Sequence, residues 1–313
     1  MSYRLERFSV NDLVIHTQGL TKRFGRVLAV DQLSLEVPRG SVFGLLGPNG
    51  SGKTTVMGML LGLVRPTSGT YWLLGTGTPQ TEALRRTGAI IETPSFYPYL
   101  SGRHNLEYFQ GILGRGEPGE VDTLLRLVGL ADRSNDRYHT YSLGMKQRLG
   151  IACSLLGGPE LLFLDEPTNG MDPAGMAEVR ELIRSLGDGN RTVLLSSHLL
   201  HEVEQVCDSV AILSRGKLIA QGTVADLIRS GERVKLNTTN NEEAHRILAE
   251  LDWVEDVTTD GPSLVVTCPI TRSWELTAAL GRSQVYVTEM WPLRQSLEGY
   301  FLEVTAENEG AQP

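Results

Sequence analysis

Gly47-Pro48-Asn49-Gly50-Ser51-Gly52-Lys53-Thr54 has the spacing of a polyphosphate cradle: a glycine, four free positions, then Gly-Lys-Thr. Glycines let backbone N–H groups curl around an anion, and a helix beginning at the same point adds the positive end of its dipole. Lys53 contributes a point charge toward the β- and γ-phosphates, and the Thr54 hydroxyl is a suitable oxygen for Mg²⁺. The ligand expected from these residues is a nucleoside triphosphate with magnesium.

A second group of reactive side chains lies further along. Leu161-Leu162-Phe163-Leu164 is an apolar run that ends abruptly in Asp165-Glu166. In a parallel sheet the carboxyl ends of strands gather at the ligand edge, so the two carboxylates belong beside the phosphates. Asp165 is the expected Mg²⁺ ligand, and Glu166 the group that takes a proton from attacking water. Another apolar run, Thr192-Val193-Leu194-Leu195-Ser196-Ser197, delivers His198 to the same edge. Ser142 in Tyr141-Ser142-Leu143-Gly144-Met145 is a natural helix N-cap, and it also presents a hydroxyl and free N–H groups where a phosphate could bind. Phe24, in Thr21-Lys22-Arg23-Phe24-Gly25, is an aromatic able to stack on a nucleobase.

The elements that must position these groups follow from periodicity and turn residues. Val42-Phe43-Gly44-Leu45-Leu46 reads as a buried strand leading into the glycine loop, and Thr55 to Leu61 as a helix that Pro66 helps to end. Before them, Leu13-Val14-Ile15, Val27-Leu28-Ala29-Val30 and Leu33 to Val37 are short strands whose links are too brief for a crossover, hence antiparallel. Gly69, Gly75 and Gly77 mark a loop-rich stretch, and residues 101–150 are helical in pattern, with Ser101 as a cap and Gly129 as a stop. From 233 to 287 the order is βαββαβ: strands at 233–236, 253–257, 264–267 and 285–287, helices at 242–251 and 275–280, then a further helix through 297–302. That order suggests a ferredoxin-like split unit.

Length, charge and cysteines bound the reading. With 313 residues there is room for roughly two domains. The net charge of −8 is confined to residues 231–313, where 6 basic residues face 14 acidic ones; residues 1–230 balance at 23 and 23. The break at Ser230-Gly231 marks an expected domain boundary, and the acidic tail domain argues against nucleic acid as its partner. No apolar run reaches the roughly 18 residues of a membrane span, and Met1-Ser2-Tyr3-Arg4-Leu5-Glu6-Arg7 lacks the apolar segment of a signal peptide. Cys153, Cys207 and Cys268 are far apart and form no Cys-x-x-Cys pair, so they read as inert buried thiols rather than disulfide or zinc partners.

Taken in order, these motifs resemble the ATP-binding subunit of an ABC transporter over about residues 13–230: the P-loop at 47–54, the signature-like Ser142-Leu143-Gly144-Met145, the strand with Asp165-Glu166-Pro167-Thr168, then Asn169-Gly170-Met171-Asp172, and His198. The resemblance implies an α/β P-loop NTPase core with antiparallel β and α-helical subdomains, the latter at about 93–150. An N-terminal extension (1–12) and a small α+β accessory domain (231–313) flank it. It implies ATP and Mg²⁺ as ligands, with Phe24 on the adenine and Gly47, Pro48, Asn49, Gly50, Ser51, Gly52, Lys53, Thr54 and Thr55 around the phosphates. It further implies a head-to-tail homodimer in which Ser142 and Gly144 contact phosphate in trans and Asp172 organises the opposing site, while His198 contacts the γ-phosphate or positions the water. A separate transmembrane permease would hold the chain at the cytoplasmic face of the membrane.

Two departures from the usual pattern stand out. Glu92 replaces the usual lid glutamine, placing a negative charge near the triphosphate as a candidate metal-binding or catalytic group, and the signature reads Tyr141-Ser142-Leu143-Gly144-Met145 instead of Leu-Ser-Gly-Gly-Gln. Ile91-Glu92-Thr93-Pro94-Ser95-Phe96-Tyr97-Pro98 and Ser142-Leu143-Gly144-Met145-Lys146-Gln147-Arg148 together resemble the bacitracin-resistance and lantibiotic-immunity branch. The implied role is export of a peptide antibiotic, drug or lipid-like compound. The alternatives are a stand-alone ABC ATPase acting on ribosomes or DNA, or a regulatory ATP-binding module without transport. Ribosomal types usually carry two cassettes where this chain has one P-loop, and the gap from Thr54 to Tyr141 is too short for the coiled coil of the DNA-repair type.

Overall fold

The computed structural model describes residues 12–77, 81–92, 94–187, 191–229, 232–293 and 296–310. It divides into two compact units, 1–222 and 223–313. The division falls ahead of the charge break at Ser230-Gly231, which itself lies outside the described residues, as does the expected N-terminal extension apart from Asp12.

The first unit opens with an antiparallel sheet. Strand β1 (Leu13–Phe24) pairs on one side with β2 (Val27–Leu33) and along its first half with β3 (Glu36–Pro38). The short run Leu13-Val14-Ile15 is here the start of one long strand that carries Phe24 to the tip of the β1–β2 hairpin. Next comes β4 (Val42–Leu46), buried at every position, and then the glycine loop and α1 (Lys53–Leu60). Helix α1 stops at Gly62, ahead of Pro66. The Leu61 and Gly62 N–H groups bond back to Met57 and Met59, and Gly62 takes a φ of 73°, so the left-handed cap closes the helix without the proline.

The stretch expected to be loop-rich contains β5 (Ser68–Leu73), which pairs antiparallel with β1; beyond it come the short α2 (Thr81–Arg85) and β6 (Thr87–Ile90). Helices α3 (Gly102–Leu113), α4 (Glu120–Leu127) and α5 (Leu143–Ser154) then pack together, α3 capped by Ser101, whose hydroxyl accepts the His104 N–H. The chain returns through β7 (Leu161–Asp165), α6 (Pro173–Leu186), β8 (Thr192–Ser197), α7 (Leu200–Val206), β9 (Ser209–Ser214) and β10 (Lys217–Thr223).

Strand order in the resulting six-stranded sheet is β10-β9-β4-β8-β7-β6, and the pairs from β9 through β6 are parallel. Strands β4, β7 and β8 are buried along their whole length, as expected for a parallel sheet covered on both faces. The core fuses the two sheets: Ile15, Leu20, Val37 and Leu73 of the antiparallel sheet meet Val56, Met57 and Leu60 of α1 and Phe43, Phe163 and Leu194 of the parallel sheet. Because β4, β7 and β8 run the same way, their carboxyl ends, and the residues that follow each, share one edge.

The second unit begins with α8 (Val224–Arg229), which packs with the last helix, α11 (Leu297–Gly310). Between them β11 (Arg233–Thr238), α9 (Asn241–Ala249), β12 (Asp256–Asp260), β13 (Ser263–Thr267), α10 (Ser273–Arg282) and β14 (Val287–Leu293) form an antiparallel sheet of order β12-β13-β11-β14. This is the ferredoxin-like arrangement. Two strands sit further along the chain than the sequence indicates. Val254 and Trp253 pack as partly buried residues before β12 begins, and Val285 packs in the core just before β14. An apolar residue that closes a core need not be in the ladder.

All three cysteines are free. Burial pushes the Cys153 thiol up to about 12 and that of Cys268 to about 11, and it raises that of Cys207 well above the usual thiol range, so each stays protonated and unreactive at neutral pH. Phe163 is fully buried at the centre of the fused core. Replacing it with Ala removes about 3–5 kcal/mol of stability, read from the midpoint of urea denaturation, whereas Val27→Ala on the exposed hairpin shifts it by less than about 0.5 kcal/mol.

Candidate active site

The glycine loop is shaped by close backbone approach. Gly47 has φ 153°, and a Cβ there would lie 2.3 Å from the Leu213 carbonyl oxygen and 2.5 Å from Ser51 Oγ. Gly52 has φ 106°, and its Cβ would meet the Ala29 carbonyl at 2.6 Å. Side chains at either position would force the loop away from β9 or β2. Gly52 serves as the N-cap of α1 and, having no side chain, makes no cap hydrogen bond to the N–H groups of the first turn. Ser51 Oγ is buried and has no hydrogen-bond partner among the described residues.

Lys53 is 6% exposed. Its Nζ donates to the carbonyls of Gly47 at 2.8 Å and Pro48 at 3.3 Å, and lies 3.4 Å from Glu166 Oε1. One helical position on, Thr54 Oγ1 donates to Asp165 Oδ2 at 2.9 Å. The P-loop and the end of β7 are therefore already joined by an ion pair and a hydrogen bond.

Sheet register explains how β8 enters the group. Asp165 on β7 is paired with Ser196 on β8, and Leu46 on β4 with Ser197. Ser196 Oγ donates to Asp165 Oδ1 at 2.5 Å and accepts the Glu166 N–H at 3.0 Å. Directly after the strand, His198 Nδ1 lies 2.8 Å from Glu166 Oε2. With Glu166 ionised the carboxylate can only accept, so Nδ1 carries the hydrogen of that bond. Glu166 thus spans Lys53 and His198, one oxygen to each.

Glu166 has φ 48°, in the left-handed region, a conformation that costs a residue with a Cβ about 1–2 kcal/mol. Three contacts offset that cost: the Ser196 bond to its N–H, the Lys53 ion pair and the His198 bond. A left-handed turn at the end of a buried strand directs the carboxylate back over the P-loop lysine. Glu92 also has a left-handed φ, 63°, and follows β6, which pairs with β7 at Ile90 and Leu164. Its side chain is exposed.

Ser142 and Asp172 occupy a different patch. Each caps a helix: Ser142 Oγ accepts the Met145 N–H at 3.3 Å at the start of α5, and Asp172 Oδ1 accepts the Gly175 N–H at 3.3 Å at the start of α6. Both are exposed. The two caps are neighbours, since a Cβ on Gly170 would lie 3.3 Å from Leu143 Cδ2 and one on Gly144 3.9 Å from Met171 Cε. Phe24 stands at its hairpin tip, half exposed, with Lys22 Nζ 4.6 Å from the ring centroid. From there β2 leads to Ala29, whose carbonyl packs against Gly52. Of the sequence-derived candidates, then, Lys53, Thr54, Asp165, Glu166 and His198 converge directly; Phe24 is linked through β2, and Ser142, Gly144 and Asp172 form a second surface. The residue that sequence reasoning left out is Ser196. Its signal was a hydroxyl at the end of an apolar strand, which must find a partner when buried.

The donor set fits a magnesium nucleotide. Thr54 and Asp165 offer hard oxygen atoms side by side, the type of ligand Mg²⁺ takes, and Lys53 with the uncapped start of α1 offers cationic and N–H groups to phosphate.

Comparison with known proteins agrees with this geometry. A family model described as "ABC transporter" matches residues 30–169. The bacitracin transport ATP-binding protein BcrA of Enterococcus faecalis is 35% identical over 93% of this chain and 96% of its own length. The lantibiotic transport ATP-binding protein SrtF of Streptococcus pyogenes is 41% identical over 66% of this chain and 90% of its own. A solved ATP binding subunit of an ABC transporter superposes with a TM-score of 0.62 at 29% identity, over 69% of this chain and 92% of that one. On sequence, fold and glycine loop alike, the chain belongs to the ABC transporter ATP-binding family and is an ABC ATPase that binds ATP.

Proposed function

We propose that this ATPase hydrolyses magnesium ATP to drive export of an antibiotic peptide, drug or lipid-like compound through a separate membrane permease, with Glu166 as the general base. The observation that carries the chemistry is the Glu166 carboxylate, held between Lys53 at 3.4 Å and His198 at 2.8 Å, next to the Thr54–Asp165 pair. The observation that bears on cargo is relatedness to proteins named for bacitracin and lantibiotic transport.

In this reading the backbone of residues 47–52, Lys53, Thr54 and Thr55 bind the phosphates, and Phe24 stacks on the adenine. Thr54 and Asp165 would hold Mg²⁺, which when bound neutralises charge on the triphosphate. Lys53 exchanges its pairing with Glu166 for phosphate oxygens, freeing that carboxylate oxygen to accept a proton from water. His198 keeps the other oxygen oriented and stands ready to contact the γ-phosphate. Glu92, exposed after β6, is the counterpart of the lid glutamine and would reach the metal or the water from that side. Ser142, Gly144 and Asp172 act in trans, each covering the site of a second copy in a head-to-tail dimer. Their exposure and their mutual packing favour an interface role over membership of the cluster around Lys53.

The permease partner is inferred from a surface. A cavity of about 430 Å³ opens between β6, α3 and α5, lined among others by Ile90, Pro94, Phe96, Phe109 and Leu156. Tyr97, Tyr99, Tyr108 and Ile112 stand exposed beside it at 45–79%. A contiguous apolar and aromatic patch of this kind marks a protein partner. Among the described residues no helix is long and apolar enough to cross a membrane; in this reading the permease supplies the bilayer-crossing step and keeps the chain at the cytoplasmic face.

Glu166→Gln is expected to slow steady-state ATP hydrolysis by about 10²–10⁴-fold while leaving ATP binding intact; near-normal turnover would refute the general-base role. The trans arrangement is tested by mixing two inactive variants. Ser142→Arg and Lys53→Ala each inactivate their own homodimers, yet a mixed dimer regains one intact site, so the mixture should hydrolyse ATP. Silence in a mixture with demonstrated heterodimers would count against one shared competent site. For the transport role, the tagged protein is recovered from its native membranes in mild detergent and its companions are identified by mass spectrometry. A multi-span membrane protein is the expected companion; ribosomes or DNA-bound proteins in its place would overturn the assignment.

A further inference from the structure

We propose that Ser196 is a positioning residue for hydrolysis, whose buried hydroxyl locks Asp165 and Glu166 together and, through Glu166, sets the rate of the chemical step. The proposal rests on Glu166 being the general base, as inferred above.

Ser196 is fully buried on β8, directly after the apolar run Val193, Leu194 and Leu195. A hydroxyl in such a place is unfavourable unless its hydrogen and a lone pair are both used. Both are used here, and in only one direction. An N–H can only donate, so the oxygen accepts from Glu166 at 3.0 Å; a carboxylate can only accept, so the hydrogen goes to Asp165 Oδ1 at 2.5 Å. One oxygen atom thereby fixes the side chain of one residue and the backbone of the next.

The consequence concerns both carboxylates. Asp165 is held at both oxygens, Oδ1 by Ser196 and Oδ2 by Thr54, so its plane is set. Glu166 is anchored at its N–H in a left-handed turn that aims the carboxylate at Lys53 and His198. Without Ser196 Oγ, that N–H loses its acceptor and the turn its hold. The adjacent Ser197 has a separate task, accepting the Leu199 N–H at 3.0 Å in the turn that carries His198. Successive residues of a strand face opposite ways, so two neighbouring serines serve the base and its histidine partner independently. Because Ser196 lies fully buried behind Asp165, it acts on the rate through Glu166 and not on the reacting atoms.

The test is steady-state ATPase kinetics of the full chain, with ATP affinity measured separately by a fluorescent nucleotide. Ser196→Ala should lower kcat about tenfold with the KM for ATP changed by less than about twofold, and Glu166→Gln/Ser196→Ala should be no slower than Glu166→Gln alone, because Ser196 works through the group already removed. Losses that multiply in the double variant, or a normal rate for Ser196→Ala, overturn the proposal. To separate the hydroxyl from packing, Ser196→Thr is compared with Ser196→Val, which has the same shape without the oxygen. Thr is expected to exceed Val in kcat by about tenfold; equal rates count against Ser196. The two readings fail separately: a slow Glu166→Gln with a normal Ser196→Ala sinks only the Ser196 proposal, whereas a normal Glu166→Gln sinks the general base on which it rests.

Discussion

A buried ammonium ion must be paired, and much of the first unit is arranged around that requirement. Lys53 is almost wholly buried at the start of α1, where removing an ion from water costs several kcal/mol even after relaxation. Two loop carbonyls and the Glu166 carboxylate offset the cost. For Glu166 to reach Lys53, the chain must turn sharply at the end of β7, and the turn adopted is left-handed. That turn leaves an N–H that Ser196 accepts, which in turn demands that β8 lie in the register pairing Asp165 with Ser196. The ion pair, the strained turn and the sheet register are one constraint expressed at three levels. A slip of one residue in β8 would carry Ser196 to the opposite face and leave both the turn and the lysine unsupported.

The second surface obeys a different rule. Ser142 and Asp172 are ordinary helix caps, each satisfying an N–H of its own first turn, and neither is held by a buried charge. Their exposed position follows from α5 and α6 starting side by side, with Leu143 and Met171 packed against Gly170 and Gly144. A cap spends only part of its oxygen's capacity on its own helix and keeps another lone pair, and for serine its hydrogen, for a partner. The chain therefore combines a preassembled cluster with an exposed pair of helix N-termini.

The parts legible in the sequence were those where residue type alone limits the options. The glycine loop, the Asp165-Glu166 pair closing an apolar run, and His198 after another such run all depend on order and polarity, and the structure brings Lys53, Thr54, Asp165, Glu166 and His198 together. The βαββαβ order of the second unit was readable from alternation, although β12 and β14 begin later than their apolar signals because Val254 and Val285 pack without pairing. Strands β5 and β6 were hidden: Ser68-Gly69-Thr70 opens one with small polar residues, and the other spans only Thr87–Ile90. Each becomes a strand because a longer neighbour, β1 or β7, supplies the ladder. Ser196 was hidden for another reason. Its strand was legible, but nothing in a run of apolar residues announces which hydroxyl will be shared between a carboxylate and a backbone N–H until register is known.

Register also links the sheet edge that carries Asp165 to the apolar cavity. Strand β6 lines that cavity through Thr87, Ala89 and Ile90, and it pairs along its length with β7, which ends in Asp165. Helix α5 lines it from the other side with Gly150, Cys153 and Ser154 in its last turns, and begins at Ser142. Gly150 lets the two approach, since a Cβ there would lie 2.5 Å from Pro94 Cγ and 3.2 Å from Ile90 Cδ1. The 12 residues of α5 join the cavity wall to the Ser142 cap, while β6 is tied to the carboxylate strand. The cavity wall is thus made of the two elements that lead to Asp165 and to Ser142: β6 by its sheet hydrogen bonds to β7, and α5 along its own length.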